Sequence, residues 1–195
     1  MMQLDLALFN AIHRFWGTSR ALDAVGTFLA NTLTYLMVIG MVVFIFYAAH
    51  SNRERIFVLA EMLLVFILSR FLITGTIAVL VGRPRPFVTL GFEPPFMPLT
   101  SGAFPSGHVS ALFAISFIMF GYSTPWGVVY LALSLLVGIG RVFTGLHWPS
   151  DVLAAILIGL GSGFLIYKVM ATPRAELFSG QDAALTNSSS ADKVQ

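Results

Sequence analysis

The sequence contains no cysteine and very little charge. Without cysteine among its 195 residues, the chain has no disulfides, thiolate metal sites or cysteine nucleophiles. Only 10% of residues are charged, and a net charge of +2 is too small and too dispersed for nucleic-acid binding. Hydrophobic residues make up 57%, and the mean hydropathy is +0.85. A soluble helical bundle needs polar helix faces, which these segments lack, so the composition predicts a multi-span membrane protein.

Five apolar stretches are candidate membrane spans, at about residues 27–49, 56–81, 107–122, 126–142 and 149–170. Ahead of them, apolar residues recur at helical spacing and predict an amphipathic helix in the membrane interface within residues 1–20: Leu4, Leu8, Ile12, Phe15 and Trp16. The alternative is a loosely held leader. The predicted fold class is therefore an all-α integral membrane bundle of about five transmembrane helices with an N-terminal amphipathic interfacial helix.

The chain reads as one domain over residues 1–172, followed by a polar tail, 173–195, that we expect to be disordered. His13 and His50 match no motif and are expected to be solvated. Prolines between residues 83 and 105 exclude a continuous helix there. The apolar residues of this segment predict a loop that touches lipid or covers a pocket: Phe87, Phe92, Phe96, Met97 and Phe104.

Three polar clusters lie where the apolar stretches begin or end. They are Gly82-Arg-Pro-Arg-Pro-Phe87, then Pro105-Ser-Gly-His108, and Arg141 followed by His147 and Asp151. Charged groups at membrane depth are costly and usually functional. Alternating crossings place four span ends on one membrane face: the end of the second span, the start of the third, the end of the fourth and the start of the fifth. Span counting therefore predicts that the three clusters form a single site.

The residue types in these clusters suit phosphate chemistry. Arg85 and Arg141 are permanently charged forks that match phosphate oxygens. The backbone amides of Ser106 and Gly107, at the start of a helix, predict an anion site. The remaining groups are two histidines, His108 and His147, which can divide the roles of nucleophile and acid between them, and Asp151, which can hold an imidazole in one tautomer.

These motifs resemble those of the type 2 phosphatidic acid phosphatase superfamily. Arg85-Pro86 resembles the end of its first motif, Pro105-Ser-Gly-His108 its second, and Arg141-x5-His147-x3-Asp151 its third. The resemblance extends from about residue 56 to 170. Within the superfamily, the short chain, the segment Phe9-Asn-Ala-Ile-His13 and Arg83-Pro-Arg-Pro-Phe87 look most like bacterial undecaprenyl diphosphatases of the bacitracin-resistance type.

The resemblance implies a role for each site residue. His147 would be the nucleophile that forms a phosphohistidine, Asp151 would orient it, and His108 would protonate the leaving oxygen. The phosphoryl group would be held by Arg85, Arg141, Ser106 and Gly107. No metal or other cofactor is implied.

The sequence departs from the family pattern in two places. The first motif usually has Lys seven positions before its Arg, where this chain has Ala78, and the third often begins Ser-Arg, where this chain has Gly140-Arg141. We expect Arg83 to bind phosphate in place of the missing Lys; the alternative is a headgroup anchor. Glu61 and Arg70, inside the second span, lie nine residues apart on opposite helix faces, so they are not expected to pair.

The sequence-based hypothesis is a membrane phosphatase that removes the terminal phosphate of a polyisoprenyl diphosphate, undecaprenyl diphosphate to undecaprenyl phosphate. Its partners would be the lipid diphosphate substrate and membrane lipids, with no nucleic acid; the sequence does not define an oligomeric state. Three alternatives stay open: a phospholipid phosphatase, a lipid phosphotransferase, and a non-catalytic lipid-binding or transport protein. The expected location is the bacterial cytoplasmic membrane. The site is expected on its extracytoplasmic face. Three of the five arginines on the site's own side are assigned to ligand binding, and without them more cations lie on the opposite side: Arg53, Arg55, Lys168 and Arg174.

Overall fold

The computed structural model describes residues 2–96 and 102–178, which are helical or irregular throughout, without a β-strand. The α-helices are α1 Met2–His13, α2 Arg20–Thr27, α3 Leu33–Ala48, α4 Asn52–Phe66, α5 Thr74–Val81, α6 Pro86–Leu90, α7 Gly107–Tyr122, α8 Thr124–Phe143 and α9 Pro149–Val169. Two π-helical segments, Phe28–Thr32 and Ile67–Ile73, join α2 to α3 and α4 to α5 without a break.

The bundle is built to cross a membrane. Four helical stretches are long and apolar enough to span it: Arg20–Ala48, Asn52–Leu90, Thr124–Phe143 and Pro149–Val169. The third predicted span, α7, is a shorter apolar helix of 16 residues. Large apolar side chains cover the outer surface, as with Val79 and Leu157, which are 84% and 72% exposed. This surface matches lipid contact and confirms an all-helical membrane fold.

α7 lies at the centre of the bundle, packed against α4, α8 and α9. The close approach of α9 to α7 depends on two glycines of α9. A Cβ atom at Gly159 would lie 2.5 Å from the Ser110 carbonyl oxygen, and a Cβ atom at Gly163 would lie 2.5 Å from Phe117 Cβ. Small residues at such contacts let two helix backbones approach closely. This matters in a membrane, where the hydrophobic effect does not drive helices together and close packing has to do so. A buried hydrogen bond between Ser116 and Ser134 joins α7 to α8.

α1 packs on the bundle through a face that carries both apolar and charged side chains. Phe9 is fully buried and Asp5 is 6% exposed, whereas Leu4 and Leu8 face outward. His13 is not solvated as predicted: its Nδ1 lies 2.8 Å from the carbonyl oxygen of Phe143, and its ring stacks between Phe9 and Phe92. The amphipathic helix expected from Leu4 and Leu8 therefore keeps apolar side chains for lipid and turns Asp5 and His13 toward the protein.

At the opposite end of the bundle, Glu61 has an explanation that the sequence alone did not provide. It is completely buried, accepts a hydrogen bond from the Tyr122 hydroxyl at 2.5 Å and forms a salt bridge with Arg174. Arg174 belongs to residues 171–178, which are helical. The tail predicted to be disordered from residue 173 thus begins as a helix anchored to a buried carboxylate. The remainder of that tail, 179–195, lies outside the described residues.

The proline-rich segment is not a continuous helix, as predicted. α5 ends at Gly82, whose φ of +56° favours glycine, and the chain then forms only the short α6 before Gly91 ends it. Phe96 lines the cavity described below, and Phe92 packs on His13. Met97 falls outside the described residues.

Candidate active site

A cavity of about 680 Å³ lies where the three polar clusters meet. It is bounded by the second π-helical segment, the ends of α5, α7 and α8, and the segment between α8 and α9. Its basic side chains are those of Arg70, Arg85, Arg141, His108 and His147, and none of the described lining residues is an aspartate or glutamate. The convergence that span counting predicts is therefore present, and the cavity suits an anion.

The protein backbone sets the tautomer of His147. The ring is 2% exposed, and its Nδ1 lies 2.8 Å from the carbonyl oxygen of Ala103. A carbonyl oxygen can only accept a hydrogen bond, so Nδ1 carries the proton and the neutral ring keeps its lone pair on Nε2. Nε2 lies 3.5 Å from Nη1 of Arg85, which also lines the cavity. This nitrogen is available for nucleophilic attack.

The surroundings of His147 also keep its ring uncharged. Burial lowers the pKa of His147 to about 4, and the positive charges of Arg85 and Arg141 act in the same direction, whereas the contact with Asp151 opposes it. The nucleophilic, neutral form is thus the form present at neutral pH. It is lost only as the pH falls toward that low value.

Asp151 is farther from His147 than the triad expectation requires. Its Oδ2 lies 3.6 Å from His147 Nδ1 and accepts a hydrogen bond from the backbone N–H of Trp148 at 2.8 Å. Its Oδ1 accepts a hydrogen bond from Arg83 at 2.6 Å. The ring donates its short hydrogen bond to the carbonyl oxygen of Ala103, not to Asp151. Asp151 therefore caps the start of α9 and places a buried negative charge beside the imidazole.

Ser106 contributes differently from the prediction. It is the N-cap residue of α7, but its side chain makes no capping bond and its amide donates to the backbone carbonyl of Asp151 at 3.1 Å. That amide is therefore not available to an anion, whereas the Gly107 amide, in the first turn of α7, has no intrahelical acceptor. Both Ser106 Oγ and Arg141 Nε are buried without a hydrogen-bond partner among the described residues. Buried unpaired donors are costly, so a phosphate oxygen would satisfy them.

The remaining predicted ligands face the cavity from two sides. Arg85 donates to the backbone carbonyl of Leu146 at 3.2 Å, which fixes its guanidinium beside His147. His108, in the first turn of α7, is exposed toward the cavity. Both histidines line the same cavity, so an acid at His108 and a nucleophile at His147 can reach one bound phosphate.

Arg83 is not placed as predicted. Its guanidinium donates to Asp151 at 2.6 Å, to Ser150 Oγ at 2.7 Å and to Asp5 at 2.5 Å. It borders a separate apolar groove of about 460 Å³ between α1 and α9, not the basic cavity. Two carboxylates already neutralise this cation, so the geometry opposes the predicted phosphate contact and makes Arg83 the link between α1 and Asp151.

Asp5 takes part in this link in its charged form. Burial alone would raise the pKa of Asp5, but hydrogen bonds from Ser150 and Arg83, with the charge of Arg83, hold it below its usual value. A carboxyl group with a depressed pKa contributes stability above its unfolded pKa and loses it as the pH falls through the folded one. The docking of α1 is thus secure at neutral pH and weakens in acid.

Sequence reasoning missed two contributors. Ala103 acts through its carbonyl oxygen, which no side-chain pattern reveals. Arg70 lines the cavity from the second π-helical segment, although the motifs do not include it. Its signal in the sequence was the cost of an arginine inside an apolar span, which usually marks a functional site. Within the described ranges, no group of three or more His, Asp or Glu side chains is arranged to hold a metal ion.

The chain is similar to known membrane proteins over most of its length. It is 28% identical over 168 residues to the bacitracin transport permease protein BcrC of Bacillus licheniformis, covering 85% of this chain and 80% of that protein. It is 23% identical over 165 residues to the undecaprenyl-diphosphatase BcrC of Bacillus subtilis, covering 85% and 83%. The crystal structure of Aquifex aeolicus LpxE has the same fold, with a TM-score of 0.68, 24% identity and coverage of 85% and 95%.

The family model described as the PAP2 superfamily matches residues 58–175, which include all three polar clusters. This match spans more than half of the chain and agrees with the resemblance of the motifs. The protein belongs to the PAP2 superfamily, and so to a family of membrane phosphatases acting on phosphate esters.

Proposed function

We propose that the protein hydrolyses the terminal phosphate of a polyisoprenyl diphosphate, converting undecaprenyl diphosphate to undecaprenyl phosphate through a phosphohistidine. The observation that carries this proposal is the fixed tautomer of His147, whose Nε2 lone pair lies in a basic cavity beside Arg85. A nucleophile in this state is of use to an enzyme and of none to a passive lipid carrier.

The reaction has two balanced steps. In the first, the Nε2 lone pair of His147 attacks the terminal phosphorus, the bond from phosphorus to the bridging oxygen breaks, and the lipid phosphate leaves with a proton from His108. In the second, water attacks the phosphohistidine and gives a proton to His108. The N–P bond then breaks, its electron pair returns to Nε2, and inorganic phosphate is released.

The other groups stabilise charge during both steps. Arg85 and Arg141 neutralise the equatorial oxygens of the phosphoryl group, and Ser106 Oγ and the Gly107 amide donate hydrogen bonds to them. Once phosphorus is bonded to Nε2, the ring carries positive charge. The buried carboxylate of Asp151, 3.6 Å from Nδ1, then stabilises it.

Undecaprenyl diphosphate is preferred as substrate on two grounds. The Bacillus subtilis relative is named an undecaprenyl-diphosphatase, and similarity to it extends over 85% of this chain. The cavity also collects three arginines, more cation than a phosphate monoester needs. The name of the Bacillus licheniformis relative supports transport instead. A phospholipid phosphatase or a lipid phosphotransferase would use the same histidines, so only the substrate and acceptor distinguish them.

The test is phosphate release by the purified protein from a panel of lipids in detergent. The panel contains undecaprenyl diphosphate, undecaprenyl phosphate, phosphatidic acid and phosphatidylglycerophosphate. We expect the highest kcat/KM for undecaprenyl diphosphate. Preference for a glycerophospholipid would refute the substrate, and loss of diphosphate without free phosphate in the presence of a second lipid would indicate phosphotransfer. A protein that binds these lipids and turns none over would be a carrier.

We also propose that the cavity faces away from the cytoplasm. The opposite end carries Arg53 and Arg55 in a short connection between spans, where cations favour the cytoplasmic side. Asn52 is exposed there, so an Asn52→Cys variant in this cysteine-free chain reports its location. We expect an impermeant thiol reagent to label it only after the cells are lysed. Labelling in intact cells would show that the orientation is the opposite of the one proposed.

A further inference from the structure

We propose that Arg70 binds the leaving phosphate of a diphosphate substrate and so determines the preference for diphosphate over monophosphate. This inference rests on the proposed phosphatase function and extends it to a residue outside the three motifs. It replaces the expectation that Arg83 compensates for the missing Lys at position 78.

The first support is the position of Arg70 relative to α7. A Cβ atom added at Gly107 would lie 2.6 Å from Arg70 Cζ and Nη1, so the guanidinium rests directly against the first residue of that helix. Only the absence of a side chain at Gly107 leaves room for this contact. The guanidinium therefore lies at the helix N-terminus, where an anion also binds best.

The second support is the backbone that carries Arg70. It is in the π-helical segment Ile67–Ile73, and such insertions re-aim side chains and often occur at functional sites. Ser110 on α7 holds this segment on either side of Arg70: its hydroxyl pairs with Thr74 Oγ1 at 2.8 Å and lies 3.4 Å from the Ser69 carbonyl oxygen. The arginine is thus fixed to the helix that begins the site.

The third support is charge. Arg70 forms no salt bridge with any carboxylate in the described part of the chain, whereas Arg83 has two. An arginine inside a span is costly unless an anion neutralises it. The cavity that Arg70 lines contains no acidic side chain among its described residues, so the neutralising anion has to be a ligand.

The geometry also assigns Arg70 to one side of the reaction. The nucleophile and the leaving group lie on opposite sides of the phosphorus in an in-line displacement. In the proposed reaction His147 acts on the nucleophile side and His108, the acid, acts on the leaving-group side. The Arg70 guanidinium packs against Gly107, whose amide binds the transferred phosphoryl group and whose neighbour His108 protonates the leaving oxygen, so we assign Arg70 to the leaving group. That group is a phosphate anion for a diphosphate substrate but an uncharged alcohol for a monoester.

The experiment compares Arg70→Gln with wild type on farnesyl diphosphate and farnesyl monophosphate. We expect kcat/KM to fall roughly ten- to a hundredfold for the diphosphate, as for loss of a charge-assisted hydrogen bond, and by less than about threefold for the monophosphate. Arg53→Gln, an exposed arginine at the opposite end of the bundle, is the matched control.

A second variant tests whether charge in the cavity is the cause. Ala78 lines the same cavity, so Ala78→Lys in the Arg70→Gln background returns a cation to it and should restore diphosphate preference. A purely structural role of Arg70 predicts no such rescue. An equal loss for both substrates, or a loss that Ala78→Lys does not reverse, would overturn the proposal. If wild type releases no phosphate from the diphosphate, the proposed function fails instead.

Discussion

His147→Ala should abolish turnover while leaving the protein folded. A hydrogen bond from Nδ1 of this side chain to the Ala103 carbonyl oxygen keeps the other ring nitrogen, Nε2, unprotonated and facing Arg85 in the cavity. Losing a covalent nucleophile costs about 10⁴-fold or more in kcat, because the remaining groups can only bind and polarise the substrate. Phosphate release from undecaprenyl diphosphate measures the loss, and thermal unfolding in detergent confirms that the variant is folded.

Two further measurements separate loss of the nucleophile from a general disturbance. His50→Ala replaces an exposed histidine at the other end of the bundle and should keep wild-type activity. Wild type incubated with substrate labelled in the terminal phosphate and quenched in alkali should retain label on the protein, and His147→Ala should retain none. Normal turnover by folded His147→Ala, or equal labelling of both proteins, would exclude the covalent mechanism.

The sequence predicts the spans well because a helix that crosses the membrane needs a long apolar stretch, which hydropathy detects directly. It does not reveal that the helix containing the first span begins before the apolar stretch, at Arg20. The first turn there is polar and is stabilised locally, with Asp23 accepting a hydrogen bond from the backbone N–H of Gly17. Hydropathy cannot detect a helix end made this way. Nor can it detect π-helical segments, which change the direction of later side chains without changing composition.

Prediction of the site succeeds where the number of membrane crossings decides which residues lie at the same end of the bundle. The motif residues lie at span ends, so counting crossings is enough to bring His108, Arg141 and His147 together. It fails for partners that depend on rotation about a helix axis or on long-range docking. Arg83 meets Asp5, 78 residues away, through the docking of α1. Two arginines in the same stretch of chain therefore have different partners, which charge counting could not distinguish.

Arg83→Met should lower kcat and leave KM nearly unchanged. Arg83 binds Asp151 and does not line the cavity, so its loss removes no contact with substrate. It leaves a fully buried carboxylate without its cation, which is costly and displaces Asp151 from its position beside His147. We expect roughly a ten- to hundredfold fall in kcat, smaller than the loss of about 10⁴-fold on altering a triad aspartate, because Asp151 itself remains.

The fall should be equal for diphosphate and monophosphate substrates, since the positive charge that develops on His147 is the same for both. This equality distinguishes Arg83 from a phosphate ligand, whose loss would raise KM for the diphosphate first. The comparison uses farnesyl diphosphate and farnesyl monophosphate, with Arg20→Met, an exposed arginine at the start of α2, as the control. Steady-state kinetics on both substrates give kcat and KM separately.

Unpaired carboxylates could also weaken the fold, so a double variant is needed. Arg83→Met combined with Asp5→Asn removes one of the two charges that Arg83 neutralises and should recover thermal stability relative to Arg83→Met. It should not recover kcat, because Asp151 still lacks its cation. An increase in KM for the diphosphate alone would show that Arg83 contacts the substrate. Recovery of kcat along with stability would show that Arg83 only holds α1 in place. We expect kcat and thermal stability to separate because the Arg83 guanidinium binds two different carboxylates. One nitrogen binds Asp5, which holds α1 on the bundle, and the other binds Asp151, which lies beside the nucleophile.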